Sequence, residues 1–105
     1  MLEIKTPEEF KKEVLECKLP VVVDFWASWC QPCQMLGPVI EELSADFQDK
    51  AKVVKVNVDE ARELAVEHQV MSIPTVVFFK NGEIKDKTIG AVPKDTLIEK
   101  LNAIL

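Results

Sequence analysis

An α/β fold with a mixed sheet is predicted for this chain of 105 residues by three features. Strand-like apolar runs alternate with helical periodicity from end to end. The run Val21-Val22-Val23-Asp24-Phe25-Trp26 is apolar on both faces except at Asp24, which suits a central strand covered on both sides. Asn81-Gly82, between two strand-like runs, is a two-residue hairpin signal, so the last two strands must be antiparallel. The earlier strands, separated by helical segments, should be parallel and joined by crossovers.

Leu2 to Lys5 is a short strand candidate. Thr6-Pro7-Glu8-Glu9 opens a helix: Thr6 is placed to cap it, Pro7 suits the first turn, and Glu9 completes a capping box. Phe10, Val14 and Cys17 mark the apolar stripe of that helix. Val21 to Trp26 follows as the central strand. Leu36, Ile40, Leu43 and Phe47 then recur on one face of a long helix. Pro38 lies inside it and cannot donate to the Gln34 carbonyl, so a kink is expected. Val53 to Val58 is the next strand. Asp59 reads as the cap of a short helix ending near Glu67. Thr75 to Lys80 and Glu83 to Ile89 are the hairpin strands, the second polar enough for a sheet edge. A last helix starts near Lys94 and turns Leu97, Leu101 and Ile104 inward. The order is β-α-β-α-β-α-β-β-α.

One domain, residues 1–105, is the expectation from this length. Area scalings give roughly 6,000 Å² for the folded chain and roughly 17,000 Å² for the unfolded one. That burial supports a core without metal or disulfide staples. With 48% hydrophobic and 30% charged residues, long disorder and fibrous repeats are excluded. The net charge of −5 and pI near 4.9 disfavour nucleic acid and anionic membranes as partners. No apolar run approaches the roughly 20 residues of a membrane span. Met1-Leu2-Glu3-Ile4-Lys5 does not read as a signal peptide. The cytoplasm is the expected compartment, and three cysteines do not suggest a secreted disulfide scaffold.

The chemistry concentrates in Trp26-Ala27-Ser28-Trp29-Cys30-Gln31-Pro32-Cys33, where a buried strand ends and a helix begins. Two cysteines three apart at a helix start can close a small disulfide with little backbone movement. They are not equivalent. Cys30 sits at the helix N-terminus, where unpaired N–H groups and the dipole stabilise a thiolate. Cys33 lies one turn in and should be more buried. Pro32 fits the first turn, where its missing N–H has no helical partner. The asymmetry suggests that Cys30 attacks a substrate disulfide and Cys33 then resolves the mixed disulfide. A Cys-x-x-Cys pair also reads as half a zinc site or as two inert buried thiols. Zinc needs about four ligands, and beyond the pair the chain offers only Cys17 and His68, at no ligand-like spacing.

Five stretches stand in an order and spacing that chance does not explain: Val23-Asp24-Phe25-Trp26-Ala27, Trp29-Cys30-x-Pro32-Cys33, Lys55-Val56-Asn57-Val58-Asp59, Ser72-Ile73-Pro74-Thr75 and Phe79-Lys80-Asn81-Gly82. Through them the chain resembles the thioredoxin family over nearly its full length. The resemblance implies a three-layer fold with a five-stranded mixed sheet and four flanking helices. It implies a protein-disulfide reductase with no bound cofactor, acting on disulfide-containing proteins, recharged by a thioredoxin reductase and working as a monomer.

Roles follow from the same resemblance. Asp24 matches the family's buried acid. It is also the one charge in the apolar central strand, so desolvation should raise its pKa and fit it to take the Cys33 proton. Its structural alternative is a wetted or Lys55-paired carboxylate, and Lys55 could neutralise it. Ile73-Pro74 matches a cis-proline loop that lies against the cysteines and presents backbone groups to an extended substrate. Trp29 is expected to be exposed at the substrate surface, and Trp26 packed against the active-site loop. Gly90 and Ala91, with Val92, match a third loop of the substrate groove.

The chain also departs from the family pattern. Gln31 replaces a usual glycine and, with Pro32, tunes the pair's potential. Gln34 replaces a frequent basic residue. Met71 and His68 stand where other side chains are common, and Pro93 stands where a capping serine is common. Cys17 reads as a small, partly buried apolar residue, with a regulatory or dimer-forming thiol as the alternative. His68 reads as a solvated residue at a helix end. A thiol oxidase or disulfide isomerase on the same fold is the rival enzyme, yet those relatives often carry histidine between the cysteines. A non-catalytic subunit of a larger assembly is the rival from another class.

Overall fold

The computed structural model describes residues 1–105. Its elements are β1 Leu2–Glu3, α1 Pro7–Phe10 with a π-helical continuation Lys11–Leu15, β2 Val21–Trp26, α2 Gln31–Asp46, β3 Lys52–Asn57, α3 Arg62–Glu67, β4 Thr75–Lys80, β5 Glu83–Ile89 and α4 Lys94–Asn102. The strands form one sheet in the order β1-β3-β2-β4-β5. β1 and β2 run parallel to β3, while β4 is antiparallel to both β2 and β5. The expected mixed sheet is therefore present, with β2 at its centre.

The alternation of β2 explains the three layers. Val21, Val23 and Phe25 join Phe10 of α1, Val14 of its π-helical continuation and Leu64 of α3 in one core. Val22 points the other way, into a second core with Leu36, Ile40 and Leu43 of α2 and Leu97 and Leu101 of α4. Both faces are covered, as the continuous apolar run required. The folded surface is 5922 Å², close to the roughly 6,000 Å² expected from the mass.

Several boundaries differ from the sequence reading. β1 stops at Glu3 because the Lys5 N–H turns away to the Glu9 carboxylate, 2.8 Å. Thr6 caps α1 as expected, accepting from the Glu9 N–H at 3.1 Å. The helix ends before Cys17, which is half-buried against the first core. Asp59 does not cap α3. That helix starts at Arg62 after Ala61 and has no side-chain cap, because the Asp59 carboxylate is engaged elsewhere, with Trp29. α2 continues through Pro38. α4 starts at Lys94, with Pro93 at the cap position and no side-chain cap bond.

His68 corrects another expectation. Its ring is not simply solvated. It packs 4.7 Å from Phe10, 5.7 Å from Phe25 and 5.8 Å from Phe79, centroid to centroid. The Leu64 carbonyl lies 2.9 Å from Nδ1. The end of α3 lies over the first core, so its last polar ring is drawn onto aromatic faces.

Candidate active site

Cys30 is the N-cap of α2, with extended backbone at φ −89° and ψ 111°. The turn Ala27-Ser28-Trp29 places it there, and the Cys30 N–H donates back to the Ala27 carbonyl at 3.2 Å. Cys30 Sγ takes the place of a capping oxygen: it accepts from the Cys33 N–H at 3.2 Å. Gln31 and Pro32 follow as the first helical residues, both exposed. Cys33 is disulfide-bonded to Cys30, with Cα atoms 5.2 Å apart, inside the usual range for a bridge. The two residues are almost equally buried, 5% and 4% exposed. The contrast in exposure expected from helix position is therefore absent. Cys30 is covered because its sulfur lies 3.7 Å from the Ile73 carbonyl oxygen. Ala27 shares the small buried cluster of the pair, and Trp26, Val58 and Ile73 pack against it.

The Ile73-Pro74 bond is cis, and Pro74 is buried. The Pro74 carbonyl accepts from the Gly90 N–H at 2.8 Å. Gly90 has φ +91°, a conformation glycine enters at no steric cost. That bond draws the loop after β5, with Ala91 exposed, toward the Pro74 loop and so to the side of the cysteines.

Trp29 is 69% exposed, as expected. Its Nε1–H donates to Asp59 Oδ2 at 2.8 Å, and the Asp59 N–H is held by Asn57 Oδ1 at 2.9 Å. Trp29, Val58, Val70, Met71, Ser72 and Ile73 line a groove of about 350 Å³. Met71 is 94% exposed at its rim. A larger hollow of about 440 Å³, between Lys5–Glu8 and Asp59–Leu64, takes in neither cysteine.

Asp24 lies within β2, 1% exposed, and its Oδ1 has no hydrogen-bond partner. Burial pushes its pKa from 3.8 up to about 7; the Lys55 cation opposes the rise and Glu3 adds to it. Lys55 is the register partner of Asp24 across the sheet, but its ammonium rests over the Trp26 ring, 4.3 Å from the centroid. The reading of Asp24 as a paired structural residue does not match this geometry. No third His, Cys, Asp or Glu joins the cysteine pair in a metal-ligating group. No helix is long and apolar enough to cross a membrane.

The bonded cysteine pair, the buried Asp24, the cis bond before Pro74 and the exposed Trp29 have the geometry the sequence leads one to expect, but two partners are not visible in it. In the sequence Asp59 reads as a helix cap, and Glu3 as an ordinary strand residue. The spacing of Asp59 two residues after Asn57 fits an Asx-type turn and was the available signal. Glu3 left no signal, because its neighbours come from β2 and β3.

A bonded Cys-x-x-Cys at a helix start, beside a cis-proline loop, matches a known family. The thioredoxin family model covers residues 1–103. The chain belongs to the thioredoxin family. It is 53% identical over 97 residues to a thioredoxin of Rickettsia bellii, covering 92% of each chain. It is 50% identical over 97 residues to thioredoxin 1 of Synechococcus elongatus, covering 92% of this chain and 91% of that one. It is also 51% identical over 96 residues to the M-type chloroplastic thioredoxin of Spinacia oleracea, covering 91% of this chain and 53% of that one. The protein is a thiol–disulfide oxidoreductase of the protein-disulfide reductase type.

Proposed function

We propose that the chain, as one domain spanning residues 1–105, reduces disulfides of partner proteins in two exchanges. The Cys30 thiolate attacks one sulfur of the substrate disulfide; that S–S bond breaks, and the other sulfur leaves as a thiolate. Loss of the Cys33 proton to Asp24 makes the second thiolate. Cys33 then attacks Cys30, the mixed disulfide breaks, and the substrate leaves fully reduced. Two electrons have passed from the dithiol to the substrate, leaving the Cys30–Cys33 bridge. A thioredoxin reductase returns them.

The observation that carries this reading is Cys30 at the N-cap of α2, bonded to Cys33 and facing the Ile73 carbonyl. Partial positive charge at a helix N-terminus favours a thiolate at the capping sulfur. The Ile73-Pro74 loop lies against that sulfur, Trp29 precedes Cys30 in the chain, and with Gly90 and Ala91 they form the docking edge for an extended substrate. Gln31 and Pro32 tune the bridge through the first turn. The chain acts as a monomer in the cytosol, in keeping with its few cysteines.

Alkylation of the reduced protein near neutral pH should label Cys30 before Cys33 or Cys17. Cys33→Ser should accumulate mixed disulfides with substrate proteins, since nothing remains to release them. Preferential labelling of Cys33, or a Cys33→Ser variant that turns over normally, would overturn the assignment.

A further inference from the structure

Glu3 takes no part in the exchanges above, yet the sheet places it in their electrostatic surroundings. Lys55 on β3 has Glu3 of β1 as register partner on one side and Asp24 of β2 on the other. One lysine therefore stands in register between two acidic residues. Its ammonium rests over the Trp26 ring. The ring is tied from the sheet edge, because the Trp26 Nε1–H donates to Glu3 Oε1 at 3.3 Å. Trp26 follows Asp24 by two positions, so both side chains leave β2 on the same face. The charges acting on Asp24 are the Lys55 cation, which favours its ionised form, and the Glu3 carboxylate, which opposes it. β4 sets Val76 opposite Asp24, and the buried residues of α2 and α4 are apolar but for Cys33, which titrates only in the reduced protein because its sulfur is otherwise bonded to Cys30.

We propose that Glu3 is a positioning residue for Asp24: it anchors the Trp26 indole under Lys55 and adds its own negative charge, so the cation does not neutralise the acid. Without Glu3 the indole is unanchored and Lys55 is free to lean toward Asp24. The acid then ionises more readily and becomes a weaker proton acceptor at neutral pH. The consequence for turnover rests on the reading of Asp24 as acceptor of the Cys33 proton.

The test is a carboxyl-carbon NMR titration of Asp24 in the oxidised protein, with the pH profile of disulfide reduction measured in parallel. Glu3→Gln keeps an oxygen for the Trp26 indole and removes the charge. Glu3→Leu removes both. The Asp24 midpoint should fall by about half a pH unit or more in Glu3→Gln, the scale of one partly screened charge. It should fall further in Glu3→Leu, and the pH profile of reduction should move the same way. An unmoved midpoint in both variants overturns the proposal even if both are less stable, because a merely structural contact does not shift a titration. Equal midpoints in the two variants overturn the anchoring of Trp26. A midpoint that moves while the pH profile stays fixed upholds the influence of Glu3 on Asp24 and overturns the proton-acceptor role of Asp24.

Discussion

Burial takes water from the Asp24 carboxylate, and the Lys55 cation does not make up the loss, so the acid titrates near 7 and not at 3.8. Below the lower value Asp24 is protonated in both folded and unfolded chains and costs nothing. Between the two values the unfolded chain sheds its proton and the folded one keeps it, so stability falls as pH rises. Above the folded value both forms are ionised and the cost levels off. Asp24→Asn should therefore stabilise the protein by about 2–4 kcal/mol near pH 8. The gain should shrink as pH falls toward the lower value and vanish by about pH 3. Urea denaturation at both pH values measures it. On the proposed mechanism the same substitution removes the proton acceptor of Cys33 and should slow disulfide reduction roughly tenfold or more. A destabilised, fully active variant would make Asp24 a structural residue only.

At the scale of elements, local chemistry and tertiary contact meet in the β4–β5 hairpin. Asn81 and Gly82 both have positive φ, 54° and 78°, the pair of values a type I′ turn needs. The glycine is required twice over. A Cβ at Gly82 would lie 2.9 Å from the backbone oxygen of Leu15, at the end of the π-helical segment. Gly82→Ala should cost about 1–3 kcal/mol in chemical denaturation, with little change in reduction rate, because the turn lies at the far end of β4 from Pro74. An alanine tolerated without loss would show that the Leu15 segment moves aside. α2 places its chemistry differently. Its N-terminus carries Cys30 and Cys33, while its middle buries Leu36, Ile40 and Leu43. The packing of that apolar face holds the catalytic end at a fixed height over the sheet.

At the scale of the whole molecule, two cores share one sheet, since Val22 and Val23 of β2 belong to opposite sides. Damage to either core should be felt by both. Ile40 is fully buried in the second core, and Ile40→Ala should cost about 2–5 kcal/mol. Tryptophan fluorescence, which reports the active-site end, and far-ultraviolet circular dichroism, which reports the helices and sheet, should shift together in denaturant. Separate transitions would mean that the two layers unfold independently.

The linear pattern by itself determined the strand and helix order, the central position of β2, the hairpin, and the identity of the reacting pair. Each of these rests on short-range spacing: period-two and period-3.6 patterns, an Asn-Gly turn, two cysteines one helical turn apart. Only the tertiary structure decided that β4 pairs antiparallel with β2 as well as β5, because strand order depends on which faces bury together. It decided that Asp59 serves Trp29 and not α3, and that His68 lies among Phe10, Phe25 and Phe79. It also brought Glu3, Lys55 and Asp24 into one row, from positions more than twenty residues apart. A carboxylate's partner is chosen by distance in space, and charge leaves no periodic mark along the chain to announce it.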